Sequence, residues 1–256
     1  FTGSVGIGKL IQKAAGNNIV PVTLELGGKS PQIIFDDADL DAALPFLVNG
    51  GIQNAGQTCS AGTRILIQRG VYEKVIQMMC SKISLLKVGS AIDDLDLGPL
   101  ISPKQKIVVE RYIAHGVESG LKIAAQGLIS DDCPSAGCYV VPTLFRDVPP
   151  DHKLAQEEIF GPIQVAIPFD TEEEAVNLAN GTEFGLVTGV WTRDGSRQLR
   201  IAKAIKAGQI FINNYGAGGG VELPFGGVGK SGFGREKGFE ALYGFSVLKT
   251  IAAYHG

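Results

Sequence analysis

Leu10, Ile11 and Ala14 recur at helical spacing and predict a helix over 8–18. Apolar runs over 19–26 and 31–35 predict two strands. Carboxylates crowd 36–41, where they suit the positive end of a helix, and predict one reaching to about residue 54. The β-branched and apolar run 63–68 predicts a strand, and the amphipathic stretch 71–86 a helix. Ser102 with Pro103 behind it marks the start of a helix to about residue 118. Short strands are expected at 142–145 and 163–169. Thr171 and Glu174 have the spacing of a capping box and open a helix over 171–180. Strands over 187–192 and 209–213 flank a helix over 196–207, which Gly208 is expected to terminate. The weak alternation over 245–253 fits an edge strand or a strand added to a partner.

Strands alternating with helices imply a parallel sheet with helices on both faces, an α/β fold. Residues 216–234 are dense in glycine and read as a long functional loop. No internal repeat or low-complexity linker is present. The 256 residues carry 45% hydrophobic and 19% charged side chains, which excludes a mainly disordered chain. A net charge of −3 gives no support to a nucleic-acid partner. No run of about 18 uncharged apolar residues indicates a membrane span.

The candidate chemistry centres on GQTCSAG, residues 56–62. Free cysteine is usually buried filler, yet Cys59 is fenced by glycines and by Gln57, Thr58 and Ser60, as a presented thiol would be. Cys80, Cys133 and Cys138 complete the set; none forms a C-x-x-C pair or has a histidine at zinc spacing, so no metal site is expected. Cys133 and Cys138 are close enough for a disulfide, but so few cysteines in so long a chain favour free thiols in a reducing cytoplasm. His115, His152 and His255 read as surface residues, which leaves Cys59 without a histidine partner. On their neighbours alone, Glu25 reads as a polar residue where a strand breaks, Glu157 and Glu158 as a solvated pair, and Phe160 as a core ring. The glycines at 3, 6 and 8 read as a strand-to-helix turn, not as a G-x-G-x-x-G fingerprint.

Five stretches in order, FTGSVGIG (1–8), LELGGKSP (24–31), GQTCSAG (56–62), EEIFGP (157–162) and LPFGGVGKSGFGRE (223–236), resemble the aldehyde dehydrogenase superfamily across the whole chain. The resemblance implies a three-layer αβα catalytic domain with a mainly parallel sheet, plus a remnant of a Rossmann-like cofactor domain. It makes Cys59 the nucleophile that forms a thiohemiacetal and then a thioester with an aldehyde, with NAD or NADP as hydride acceptor. It makes Glu25 the base that readies the hydrolytic water, and Glu25 favours a free acid as product over acyl transfer to coenzyme A or phosphate. The Cys59 N–H would supply one oxyanion donor. Cofactor contacts fall on Gly3, Ser4, Leu26, Gly27, Glu158 and Phe160. Asn213, Asn214 and Tyr215 become candidates for the aldehyde pocket, and 223–236 a brace for the floor of the site.

The resemblance divides the chain into a cofactor-domain remnant at 1–25, a catalytic domain at 26–240 and a C-terminal oligomerisation strand region at 241–256. The start at Phe1, inside sequence that already reads as structured, leads to the expectation that residues precede it, among them an oxyanion asparagine and the residue that separates NAD from NADP. A homodimer or tetramer is expected. Two other readings stand beside this one: a folded but inert fragment, and a cysteine esterase that needs no cofactor.

Overall fold

The computed structural model describes residues 1–216 and 220–256. The expected glycine-dense loop 216–234 therefore lies partly outside the described residues. The chain runs α1 (Val5–Asn17), β1 (Leu24–Glu25), β2 (Pro31–Ile34), α2 (Leu40–Ile52), β3 (Arg64–Gln68), α3 (Tyr72–Ile83) and β4 (Lys87–Val88). It continues through α4 (Pro103–Glu118), β5 (Lys122–Gln126), β6 (Leu128–Ile129), β7 (Thr143–Arg146), α5 (Lys153–Gln156) and β8 (Ile163–Phe169). The last elements are α6 (Glu172–Asn180), β9 (Phe184–Gly185), β10 (Val187–Trp191), α7 (Gly195–Ala204), β11 (Gln209–Ile212), β12 (Val228–Gly229), β13 (Gly232–Phe233) and α8 (Ala241–Gly244).

Seven strands form one sheet in the order β11-β10-β2-β3-β8-β7-β5. All neighbours are parallel except β5, which runs antiparallel to β7 at the edge. The side-chain period of two divides the core between two faces. Ile34, Ile65, Ile67 and Ala166 pack with Leu47 and Val48 of α2 and Val75 and Met79 of α3. Ile33, Leu66, Val165 and Ile167 pack on the other face with Val109 of α4, Leu154 of α5, Ala175 of α6 and Ile201 of α7. The architecture is thus the expected three-layer α/β arrangement. Strands covered on both sides need continuous apolar runs, and Ile33, Ile34, Ile65, Leu66 and Ile67 are all fully buried.

Caps set several boundaries. Ser102 accepts from Gln105 N and Thr171 from Glu174 N, both as expected. The Glu174 side chain reaches back to Asp170 N, one residue short of a closed capping box. Ser4 accepts from Ile7 N, so α1 starts at Val5 and not at Gly8.

Four expectations are corrected. Only Leu24 and Glu25 of 19–26 form a strand, and their partner is the hairpin-like segment β13, not the main sheet. The helix expected over 196–207 ends at Ala204 with Ile205 extended. Gly208 serves another purpose, since a Cβ there would overlap the Gly226 carbonyl. Residues 245–253 form no edge strand within this chain; Phe245, Val247, Leu248 and Ile251 are exposed, which is compatible with the other expectation, a strand added to a partner. Strand β5, exposed along most of its length, went unanticipated because half-exposed edge strands carry little apolar signal. Cys133 and Cys138 are free thiols. No helix of the described residues is long and apolar enough to cross a membrane.

Leu66 is fully buried at the centre of the sheet. Leu66→Ala is expected to destabilise the fold by about 2–5 kcal/mol with secondary structure retained, measured by urea unfolding followed by circular dichroism.

Candidate active site

The loops that enter β2, β3 and β8 converge at the amino edge of the sheet. Residues 25–30 lead into β2, 56–63 into β3 and 157–162 into β8. Two glycines let them meet. A Cβ on Gly28 would overlap the carbonyl of Cys59, and one on Gly27 would overlap the carboxylate of Glu158. Glu158 Oε1 in turn accepts from Gly28 N at 3.1 Å.

Cys59 is presented by a strained turn. Asn54, Ala55 and Gly56 all lie in the left-handed region, with φ of 52°, 54° and 74°. The Gln57 side chain clamps this turn: its Nε2 donates to Asn54 O at 3.1 Å and its Oε1 accepts from Ile101 N at 2.9 Å. On the far side the buried Tyr215 hydroxyl donates to Ser60 O at 2.7 Å. The thiol sits half-buried between these anchors.

Glu25 is held by main chain. Its N–H donates to Phe1 O and its carbonyl accepts from Gly3 N, at 2.9 and 3.0 Å. Leu24 and Leu26 beside it are buried, and Glu25 itself is only 2% exposed. Neither carboxyl oxygen has a hydrogen-bond partner among the described residues. The 223–236 stretch frames this carboxylate: β13 pairs with β1, and Ser231 Oγ donates to Gly27 O at 2.7 Å.

A cleft of about 690 Å³ joins these parts. Cys59, Glu25, Gly3, Ser4, Leu26, Gly27, Glu158 and Phe160 all line it, so every residue expected to be catalytic or to touch the cofactor faces one space. Its volume lies in the range of small-molecule and cofactor sites. Ser4 lies at the α1 amino terminus, where free N–H groups favour an anion. The Phe160 ring is 39% exposed on a residue with φ of 57°. Gln105 and Glu236 also line the cleft and were missed. Gln105 braces the Phe160 loop by donating to Ile159 O and Phe160 O at 3.0 and 2.9 Å. Nothing local distinguishes Gln105 from other polar side chains on α4, and Glu236 had read as part of a structural turn. A second cleft, of about 470 Å³, lies beyond Ser60 and is lined by Phe46, Asn49, Gln53, Asn54, Asp96 and Tyr215 among others. Of the aldehyde-pocket candidates only Tyr215 lines it; Asn213 instead exchanges hydrogen bonds with the Thr192 backbone.

The electrostatics follow from burial. Glu25 is pushed up to about 7, chiefly by desolvation and then by the Glu236 carboxylate, with Arg235 opposing. The Cys59 thiol is also pushed up, by burial first and then by the charges of Glu158 and Glu25; the N–H groups of Cys59 and Ser60 pull the other way. Near neutral pH the sulfur is therefore a protonated thiol, and Glu25 is poised to exchange a proton. Glu158 is raised by burial, against the pull of the Gly28 N–H and the Lys29 charge.

A buried carboxylate raised toward neutrality, a presented cysteine and the amino terminus of α1 thus meet in one cleft. The model of the aldehyde dehydrogenase family matches residues 1–251, and this chain belongs to that family. It is 42% identical over 252 residues to a betaine aldehyde dehydrogenase of Rhizobium leguminosarum, covering 98% of this chain and 52% of the relative. A crystal structure from Burkholderia cenocepacia, 60% identical, superposes with a TM-score of 0.98 over 100% of this chain and 54% of that one. The NAD+ complex of a Bacillus cereus aldehyde dehydrogenase, 41% identical, superposes with a TM-score of 0.89 over 94% of this chain and 49% of that one. The chain thus spans about half the length of the curated relatives it matches.

A carboxyl group with a raised folded pKa stabilises the fold below its unfolded value of 4.5, and that contribution is lost as pH rises through about 7. Glu25→Gln, which cannot ionise, is expected to raise the melting temperature relative to the parent at about pH 8 and to give little gain at about pH 4.5. Thermal unfolding at both pH values checks this; equal effects at both would show that Glu25 ionises freely in the folded chain.

Proposed function

We propose that this chain carries the catalytic chemistry of an NAD(P)-dependent aldehyde dehydrogenase that oxidises an aldehyde to a carboxylic acid. The observation that carries the reading is the shared cleft: Cys59, Glu25, Glu158 and Phe160 line one space. Residues 1–25 are proposed to belong to the cofactor-binding part and 26–240 to the catalytic part, with Glu25 at their boundary serving the chemistry. The donor set fits a nicotinamide dinucleotide. The α1 amino terminus with Gly3 and Ser4 suits the pyrophosphate, Glu158 suits ribose hydroxyls, and Leu26, Gly27 and Phe160 offer backbone and ring to the nicotinamide. NAD is the cofactor in the Bacillus cereus complex. When bound, the nicotinamide supplies the acceptor for a hydride.

The chain's own residues then divide the work. Cys59 Sγ gives its proton to Glu25, directly or through water, and bonds to the aldehyde carbon. The carbonyl oxygen takes up the electron pair as an oxyanion, for which the Cys59 N–H is a donor. Once the hydride has left the carbon, the acyl group remains on Sγ as a thioester. Glu25, which releases the thiol's proton to solvent and whose carboxyl has no hydrogen-bond partner among the described residues, then takes a proton from a water whose oxygen attacks the thioester, and passes that proton to the departing sulfur. The C–S bond breaks, the thiol is restored and the acid leaves. The second cleft, bordered by Ser60 and Tyr215, is proposed to receive the rest of the aldehyde.

Two substitutions in the full-length protein carrying this sequence test the reading. Cys59→Ala is expected to abolish aldehyde-dependent NADH formation together with acyl labelling at that position; retained turnover overturns the assignment. Glu25→Gln is expected to slow deacylation more than acylation, so that the acyl-enzyme accumulates and is trapped by rapid quench and mass spectrometry. Its failure to accumulate removes Glu25 as the hydrolytic base. Ester hydrolysis without cofactor that outpaces aldehyde oxidation would favour the esterase reading.

A further inference from the structure

Lys29 is a buried charged side chain beside the cleft that the chemistry above leaves unused. It follows Gly28, is 1% exposed, and its Nζ has no hydrogen-bond partner among the described residues. It lies among Ala179, Phe184, Leu186 and Ile205, beside a void of only about 10 Å³. That space is at the lower limit for one water and too small for a ligand. An amine buried without a hydrogen bond is costly to keep charged, so its retention calls for a partner in the field around it.

The charged groups around it are few. Arg64, also buried, spends its three nitrogens on the carbonyls of Lys29, Leu178 and Ala179 at 2.8, 2.6 and 2.8 Å. Its charge opposes a charge on Lys29. The charges favouring a protonated Lys29 are those of Glu158 and then Glu157. Glu157 is already engaged by the Tyr112 hydroxyl at 2.6 Å and by Lys153 at 3.8 Å. Glu158 lies over the Gly27–Gly28 backbone, and among the described residues the Gly28 N–H and Lys29 are what supports its negative charge. One short run of main chain, Gly27 to Lys29, thus bears a carboxylate on its cleft side and a sealed amine just beyond it.

We propose that Lys29 is a positioning residue whose ammonium, acting through the interior, keeps Glu158 ionised to receive the cofactor's ribose hydroxyls. The inference rests on the reading of Glu158 as a ribose ligand. Burial works against both charges: it raises Glu158, and together with Arg64, against the pull of Glu158 and Glu157, it brings Lys29 down to about 7. Each lowers the cost of the other, so the two titrate as a coupled pair. Without Lys29, Glu158 takes up a proton at a higher pH, and nucleotide affinity falls earlier on the acid side.

The test is NAD binding by isothermal titration in the full-length protein, from about pH 5 to about pH 8, with the Glu158 carboxyl followed in parallel by carbon-13 NMR. Lys29→Met exchanges a buried cation for an apolar side chain of similar length, a change the fold tolerates or gains from. It is expected to move the acid limb of NAD binding and the Glu158 titration upward together by about one pH unit. Lys29→Gln, a second uncharged exchange, is expected to do the same. Glu158→Gln is expected to weaken NAD binding and to remove the acid limb. An unchanged limb in both Lys29 variants overturns the proposal while leaving Glu158 in place. Unchanged NAD binding in Glu158→Gln overturns the ribose reading itself.

Discussion

The site depends on backbone meeting backbone at the amino edge of the parallel sheet. Gly27 and Gly28 have no side chain to hold the neighbouring loops apart, so the Cys59 carbonyl and the Glu158 carboxylate come to rest against the same three-residue stretch. The carbonyl of Gly27 is then fixed by Ser231 from the C-terminal part of the chain. Four segments distant in sequence are thereby locked to one another. Open α/β sheets commonly bind ligands beyond the carboxyl ends of their strands. Here the lead-in loops of β2, β3 and β8 form the cleft at the opposite edge, because the close glycine contacts lie there.

Burial at that convergence also sets the chemistry. The same desolvation that raises the Cys59 thiol raises Glu25 into the neutral range, where the proposed mechanism has it act as a base. Charges on Glu158 and Glu25 add to the cost of a thiolate at Cys59. Glu236, exposed but close, biases Glu25 further toward its protonated form. The strained turn at 54–56 keeps the sulfur from sinking into the core, as an apolar-fenced cysteine would.

Much of the fold was legible because its strands are buried on both faces. Runs such as 31–35, 63–68 and 163–169 are mostly apolar, broken by Gln32, Arg64 and Gln164, and each emerges as a strand of the main sheet. Cap chemistry did as well, since Ser102 and Thr171 act locally on the N–H groups of the next turn. The errors fall where the deciding contact is distant. Leu24 and Glu25 leave the expected longer strand to pair with Gly232 and Phe233, and Gly208 answers to Gly226 rather than to the helix before it.

By itself the sequence determined the alternating α/β order, the capped starts of α4 and α6 and the local setting of Cys59, because these rest on periodicity and on interactions within a few residues. Motif resemblance named Glu25, Glu158 and Phe160, whose neighbours alone marked them as ordinary. Only the tertiary structure brought them to one cleft, added Gln105 and Glu236 to its wall, and sealed Lys29 beside it. The reason is physical: proximity, desolvation and the field of neighbouring charges arise when segments far apart in the chain are packed together, and no short window of residues contains them.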